Sequence, residues 1–515
     1  MQTNAWSQQE LEVIKSLDLR VARLVSDYLG GPLETEALFV PTKDNLSEMD
    51  SKVSQLLSEI NRLEDPFWKS HFTAALESLS FQIQCNTKMP YEYITRISSS
   101  LDKLMMETGA TGSGQEVETA LKRLRDTVAV IQAIDQEVHT RTDLAKSQLA
   151  DVLPSLSKNV QRCIDFVQAH AATQGAKDDA QAFGNQALEA IRGLQSKVKP
   201  VYVGELEPVD IPFAISVEKG MQVPLDYLLS WYEEDAVNRR KEYFEIAEAD
   251  FPGQDPNQVL MSGQGYATVE ELFADMRQIL DLLQEECTRF VDLPEDEYCD
   301  IGLIPETWRM MVPGFMYLGG LVAINPDNLA SYRRVGLETT AVHEVYPGHH
   351  VHSVKSAQHA LPHTFKLGLF WSRCLQEGMC DRSMVLMTPY LTDPAAKLSV
   401  AKRLWFTASR AKAEVDIYYN KKPVQEIIDN YMNNLGLPSY NAHAQTRAHL
   451  MRPADAISYY TGMKYLDDLY NEAGLGLKEF TNEIFSYGSI PLATMKHILA
   501  LPEEKKQQIR TLTAQ

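Results

Sequence analysis

Cysteine is scarce in this sequence, with six residues in 515. They are Cys85, Cys163, Cys287, Cys299, Cys374 and Cys380, and no two of them form a C-x-x-C pair. So few thiols in so long a chain exclude a disulfide framework and leave reduced, buried cysteines as the expectation. Long apolar runs are missing too. The longest, from Gly314 to Ile324, contains three glycines and is too short to span a bilayer. The opening MQTNAWSQQE has neither a basic start nor an apolar core, so it does not read as a signal peptide. On that basis the expected home is the cytoplasm, with the proviso that a leader removed earlier leaves no trace. Positive charge is in deficit: Lys+Arg number 49 against 70 Asp+Glu, a net charge of −21. No run of Lys or Arg offsets this, so nucleic acid is an unsuitable partner, and no membrane segment is expected. There is no internal repeat and no low-complexity tract.

What remains is an ordinary globular composition, 44% hydrophobic and 23% charged. The pattern is helical nearly throughout. Leu46, Met49, Val53, Leu56, Leu57, Ile60 and Leu63 recur at helical spacing, as do Val117, Leu121, Leu124, Val128, Ile131, Ile134 and Val138. Thr268-Val269-Glu270-Glu271 has the form of a capping box, and Asp393-Pro394 of an N-cap with its first turn. Three stretches break the pattern. Gly109–Gly114 reads as a flexible loop, residues 199–215 as a short strand pair, and residues 251–266 as a long turn-rich connection. The expected fold is therefore mainly α: a large multi-helix body with two helical lobes around a cleft and at most a small β element. We divide it into an N-terminal helical lobe, 1–200, and a catalytic lobe, 201–515. The length allows a homo-oligomer without requiring one.

Six of the twelve histidines fall between His343 and His363. The central string is His343-Glu344-Val345-Tyr346-Pro347-Gly348-His349-His350. In an H-E-x-x-H helix, two histidines one turn apart face one zinc ion and the glutamate deprotonates the attacking water. Here Pro347 stands where the second histidine belongs, so the helix should kink and Gly348 should relax the backbone. A bulge would bring His349 into the vacated place. His350, two turns after His343, lies on nearly the same face. Spacing leaves both open; we take His349 as the ligand and put His350 near the substrate or behind the ligands.

The third ligand must come from another segment. Residues 364–388 read as one long helix on which Glu377 and Asp381 share a face. Glu377 completes a two-His, one-carboxylate site, and Asp381 can accept from the far nitrogen of a ligand histidine. One zinc ion per chain is the expected cofactor, although the donor set also suits manganese or cobalt.

The motif HExxPGHH followed by Glu377-Gly378 resembles a bacterial family called domain of unknown function 885. A further match is Pro453-Ala454-Asp455-Ala456-Ile457-Ser458-Tyr459, and Arg410 and Asp416 sit where that family tends to place an Arg and an Asp. The likeness covers roughly residues 300–475. It implies a metallopeptidase related to the mostly helical gluzincins. The departures are His352 for Gln, Met379 and Met384 for a Trp and a Glu, and Asn420 for a His. If that His is an oxyanion donor in relatives, Tyr418, Tyr419 or Tyr459 must replace it.

The expected function is thus zinc-dependent hydrolysis of short peptides, with Glu344 as general base and Tyr459 as oxyanion donor. Arg410, Tyr418 and Tyr419 are the expected substrate-binding residues; Arg447 is a further carboxylate-binding candidate. The competing readings are a zinc hydrolase of another amide or ester, and an inactive helical protein that binds peptides or a partner.

Overall fold

The structure is a computed structural model that describes all residues except 1–4, 30–36, 108–112, 200–205, 207–208, 219–224, 305–308, 310–311, 313, 368–372 and 515. It is mainly helical, with one small three-stranded sheet among the described residues. No described helix is long and apolar enough to cross a membrane. The chain divides into two compact units. One is Leu17–Val209; the other joins Met1–Ser16 to Asp210–Gln515.

In the Leu17–Val209 unit the apolar stripes become buried faces. The Lys43–Ile60 helix buries Met49, Val53, Leu56 and Ile60, and the Gly114–Glu137 helix buries Val117, Leu124, Ile131 and Ile134. Gly114–Glu137 packs on Gln174–Gln195, and Tyr91–Glu107 on Asp143–His170. Ser113 is not loop. Its hydroxyl accepts from the Glu116 amide and Glu116 returns the bond, a complete capping box that starts the helix. Gly114 is the first residue of that helix, and residues 109–112 lie outside the described residues.

In the other unit the apolar run near Gly314 forms part of the sheet. β1 (Asp300–Leu303) runs parallel to β3 (Leu321–Ile324), and β2 (Phe315–Tyr317) runs antiparallel to β3 from the other side. β2 is therefore an edge strand among the described strands. Residues 200–205 and 207–208 of the expected strand pair at 199–215 lie outside the described residues. Its end is helical instead: Asp210 caps Ile211–Phe213, with Pro212 at a first-turn position. Thr268 caps Val269–Cys287 through the Glu271 amide, while the Glu271 carboxylate reaches the Ala267 amide, so the box is only half formed. The long helix expected over 364–388 is divided into a 3-10 turn, His363–Lys366, and a helix, Arg373–Met387.

That Arg373–Met387 helix packs closely along Ile457–Ala473. The contact is made by glycines. A Cβ on Gly378 would lie 2.2 Å from the Gly462 carbonyl carbon, and one on Gly462 would lie 2.1 Å from the Cys374 oxygen. Only two hydrogens at that crossing let the backbones approach so closely.

Candidate metal centre

The Arg334–Glu344 helix stops at Glu344, three residues before Pro347, and a second helix, His349–Ala357, begins after a tight turn. Pro347 offers no amide to continue the first helix. Gly348 lies so close to the first helix that a Cβ there would be 1.9 Å from the His343 carbonyl oxygen. The expected kink is thus a full break, and it sets the His349 ring 5.2 Å from the His343 ring, nearly perpendicular to it.

Glu377 meets both imidazoles. Its Oε2 lies 3.4 Å from His343 Nε2 and 3.6 Å from His349 Nε2. In a tetrahedral zinc shell with ligand bonds near 2.0–2.1 Å, neighbouring donors are about 3.4 Å apart. Both Glu377–imidazole separations therefore match neighbouring donors around one small cation, and two imidazoles with one carboxylate would leave a fourth position open. Cys380 offers a further donor: one atom each of His343, His349 and Cys380 lie within 4.8 Å of one another. Burial, and then the charges of Glu377, Glu344 and Asp381, push this thiol well above its ordinary range. Glu377 is the better candidate for third ligand, because its carboxyl is held ionised while the Cys380 thiol is held protonated.

Charge organises the surroundings. Burial opposes ionisation of Glu377, yet hydrogen bonds from His343 and His349 and the Arg373 charge hold its carboxyl well below the usual range. Burial likewise disfavours the charged form of His343, but Asp381 and Glu377 outweigh it and raise the imidazole to about 9. Asp381 lies 3.3 Å from His343 Nδ1, within ion-pair range, although the ring N–H is not aligned for a hydrogen bond. Arg373 bridges Glu377 at 3.0 Å and Asp455 at 2.8 Å, and Arg403 pairs with Asp381 at 3.1 Å.

His350 does not join the cluster. Adjacent helical residues point about 100° apart, so His349 and His350 cannot both face Glu377. The His350 ring is fully buried and hydrogen-bonds Glu297, with the Tyr317 hydroxyl 3.3 Å from its other nitrogen. Of the two histidines that spacing left open as metal ligand, His350 is thus the one turned away from Glu377; it anchors the start of the second helix. His352, also buried, binds the Tyr487 carbonyl at 2.6 Å.

Glu344 follows His343 and turns toward the sheet, where its Oε2 accepts from the Tyr317 amide at 3.0 Å. The Tyr459 ring lies nearly parallel to that of His343, 6.4 Å away. Burial and then the Glu377 charge raise its phenol far above the ordinary range, so the hydroxyl remains a donor at neutral pH. Tyr418 does not face a substrate. Tyr418 is buried and donates to the His449 carbonyl at 3.1 Å, while Tyr419 caps the end of the Ala396–Tyr418 helix and is 43% exposed. Asn420 donates to Asp416 at 2.8 Å, closing that same helix end.

Sequence reading missed Glu297, Tyr317, Arg373 and Arg403. Arg373 alone carried a signal, standing one helical turn before Glu377. The other three reach the site from separate elements.

The sequence model described as "Bacterial protein of unknown function (DUF885)" matches residues 34–499. The likeness therefore extends far beyond 300–475 and through most of the N-terminal half. No curated protein matches. Two solved structures share the fold. A candidate lipoprotein of unknown function from Shewanella oneidensis is 14% identical with a TM-score of 0.75, covering 96% of this chain and 100% of its own. A candidate lipoprotein from Colwellia psychrerythraea is 13% identical with a TM-score of 0.73, covering 95% and 99%.

Proposed function

This chain belongs to the DUF885 family of bacterial proteins, and we propose that it is a zinc-dependent metallopeptidase of gluzincin type acting on short peptides. The observation that carries the reading is that Glu377 Oε2 lies 3.4 Å from His343 Nε2 and 3.6 Å from His349 Nε2, each close to the spacing of neighbouring donors in a tetrahedral shell. One zinc ion per chain is the cofactor. When bound, it supplies a Lewis acid that polarises the scissile carbonyl and lowers the pKa of water toward about 7.

The protein's own groups do the rest. Glu344 takes a proton from the attacking water and passes it to the departing amine. Its bond from the Tyr317 amide fixes the carboxylate's direction and leaves Oε1 for the water. The Tyr459 hydroxyl donates to the developing oxyanion, a contribution of about 3–4 kcal/mol for one well-placed donor. Asp381, held by Arg403, orients the His343 ring from behind. What favours peptides over other amides or esters is β2. Its edge runs beside Glu344, and an extended peptide can add to such an edge through its own backbone. The −21 charge disfavours nucleic acid as a general partner.

The cytoplasm remains our proposed location. The two structural neighbours, described as candidate lipoproteins, name the competing one, a lipid-tethered form, and cell fractionation separates the two.

Glu344→Gln tests the mechanism. The variant should retain one zinc per chain by elemental analysis and lose about 10²–10⁴-fold in kcat/KM on a peptide library. Undiminished turnover in that variant removes Glu344 from the role of base.

A further inference from the structure

We propose that Arg410 recognises a free C-terminal carboxylate, so that the chain releases one residue or a dipeptide from the carboxyl end of its peptides; this rests on the peptidase reading above. Three arginines gather near Tyr459, and two are committed. Arg373 is divided between Glu377 and Asp455, and Arg403 is bound to Asp381. Arg410 is different. Its guanidinium carbon lies 5.0 Å from the centre of the Tyr459 ring and 5.6 Å from that of Phe406, and no carboxylate pairs with it among the described residues. Its Nε is buried and has no hydrogen-bond partner.

The acid one turn further along the same helix does not supply one. Glu414 is spent on His449 Nδ1 and on the amides of Ala456 and Ile457. Arg447, the other arginine singled out in the sequence, already has interactions of its own. A guanidinium nitrogen withdrawn from water without a partner is costly, and its planar fork matches a carboxylate in two parallel bonds. In a chain of net charge −21, an uncommitted cation beside the catalytic groups stands out as a site for an anionic group.

Position sets the register. Tyr459 neighbours both groups, its ring 5.0 Å from the Arg410 guanidinium carbon and 6.4 Å from the His343 imidazole, so the guanidinium lies no more than the sum of those two distances from His343. An extended chain advances about 3.3–3.6 Å per residue, so a carboxylate at Arg410 belongs one or two residues beyond a carbonyl held at His343 and Glu344. Water adds to that carbonyl, its C–N bond breaks, and Glu344 returns the proton to the amine. The leaving fragment is the one whose carboxylate Arg410 holds.

The test uses the zinc-loaded full chain and two N-acetylated pentapeptides of one sequence, ending in a free carboxylate or a carboxamide. The acid should be favoured by about 10–100-fold in kcat/KM, and Arg410→Gln should bring that ratio near one with zinc content unchanged. Binding is read separately by calorimetry on zinc-loaded Glu344→Gln, where the acid should bind at least about tenfold more tightly and lose that advantage when Arg410→Gln is added. Equal cleavage of both peptides by the wild type overturns the carboxylate site and leaves the peptidase reading intact. If neither is cleaved but Arg410-dependent selective binding persists, the site stands and the peptidase reading falls. Equal binding of acid and amide overturns the site.

Discussion

His71 and His343 are both buried on helices, 1% and 8% exposed, yet they titrate in opposite directions. His71 sits in the Pro66–Lys88 helix with its ring 5.5–6.2 Å from those of Phe67, Trp68 and Phe72. Burial alone drives it down to about 3. His343 experiences burial too, but faces two buried carboxylates and is held at about 9. Burial of a histidine is therefore not what marks this site. The mark is that the second unit gathers Glu377, Asp381, Arg373 and Arg403 around one imidazole, at a desolvation cost that a packed core has no reason to bear. In the first unit the Lys43–Ile60 and Gly114–Glu137 helices turn apolar faces inward instead.

The largest break in that comparison comes from His343→Ala. It removes one of three metal donors and leaves Glu377 and Asp381 with one cationic partner fewer each. Zinc measured by elemental analysis after dialysis should fall from one per chain to near zero. His71→Phe, which replaces one aromatic by another inside an aromatic cluster, should leave zinc at one. Equal zinc in the two variants would falsify the metal centre.

A smaller effect sharpens it. Asp381 is fully buried, 3.3 Å from His343 Nδ1 and paired with Arg403. Asp381→Asn keeps the shape and removes the charge behind the ligand. Residues in that position typically change metal affinity by about 10–100-fold, and a competition assay against a zinc chelator should show a loss in that range. An unchanged affinity would make Asp381 a folding group that serves only Arg403.

How much of this the sequence showed follows from the reach of helical spacing. Periodicity encodes neighbours on one helix, and so the apolar stripes, Glu377 with Asp381, and His343 with Glu344 were readable. Pro347 and Gly348 announced a break but not its angle, and the angle is what turns His349 inward and His350 toward Glu297. Contacts across helices were not readable. Glu297 reaches His350 from a distant loop, and Tyr459 reaches His343 because Gly378 and Gly462 let two helices touch. Tyr418 failed as a substrate residue for the same reason, since its neighbour His449 belongs to a separate helix. The strand pair expected at 199–215 rested on Pro and Val content alone, and Asp210 with Pro212 starts a helical turn where it should have continued.

The most discriminating comparison is the slope per pH unit, because the two histidines should give pH slopes of opposite sign. His71 has a folded value near 3, below its unfolded value of about 6.5. Below pH 6.5 the unfolded chain gains a proton the folded chain refuses, so this group withdraws stability as pH falls toward 3, by about 1.4 kcal/mol per unit. His343 in the metal-free chain has a folded value near 9. Its contribution is fully present below about pH 6.5 and is lost as pH rises through 9. Denaturant unfolding of the metal-free chain should therefore lose stability in both directions from near pH 6.5. His71→Phe should flatten the acid limb only. Zinc must displace the proton from His343 to use its nitrogen, so binding near pH 7 should release about one proton from this group and almost none well above pH 9. Calorimetry in buffers of different ionisation enthalpy measures that number directly. A release that does not diminish with rising pH would mean that the proton leaves some group other than His343.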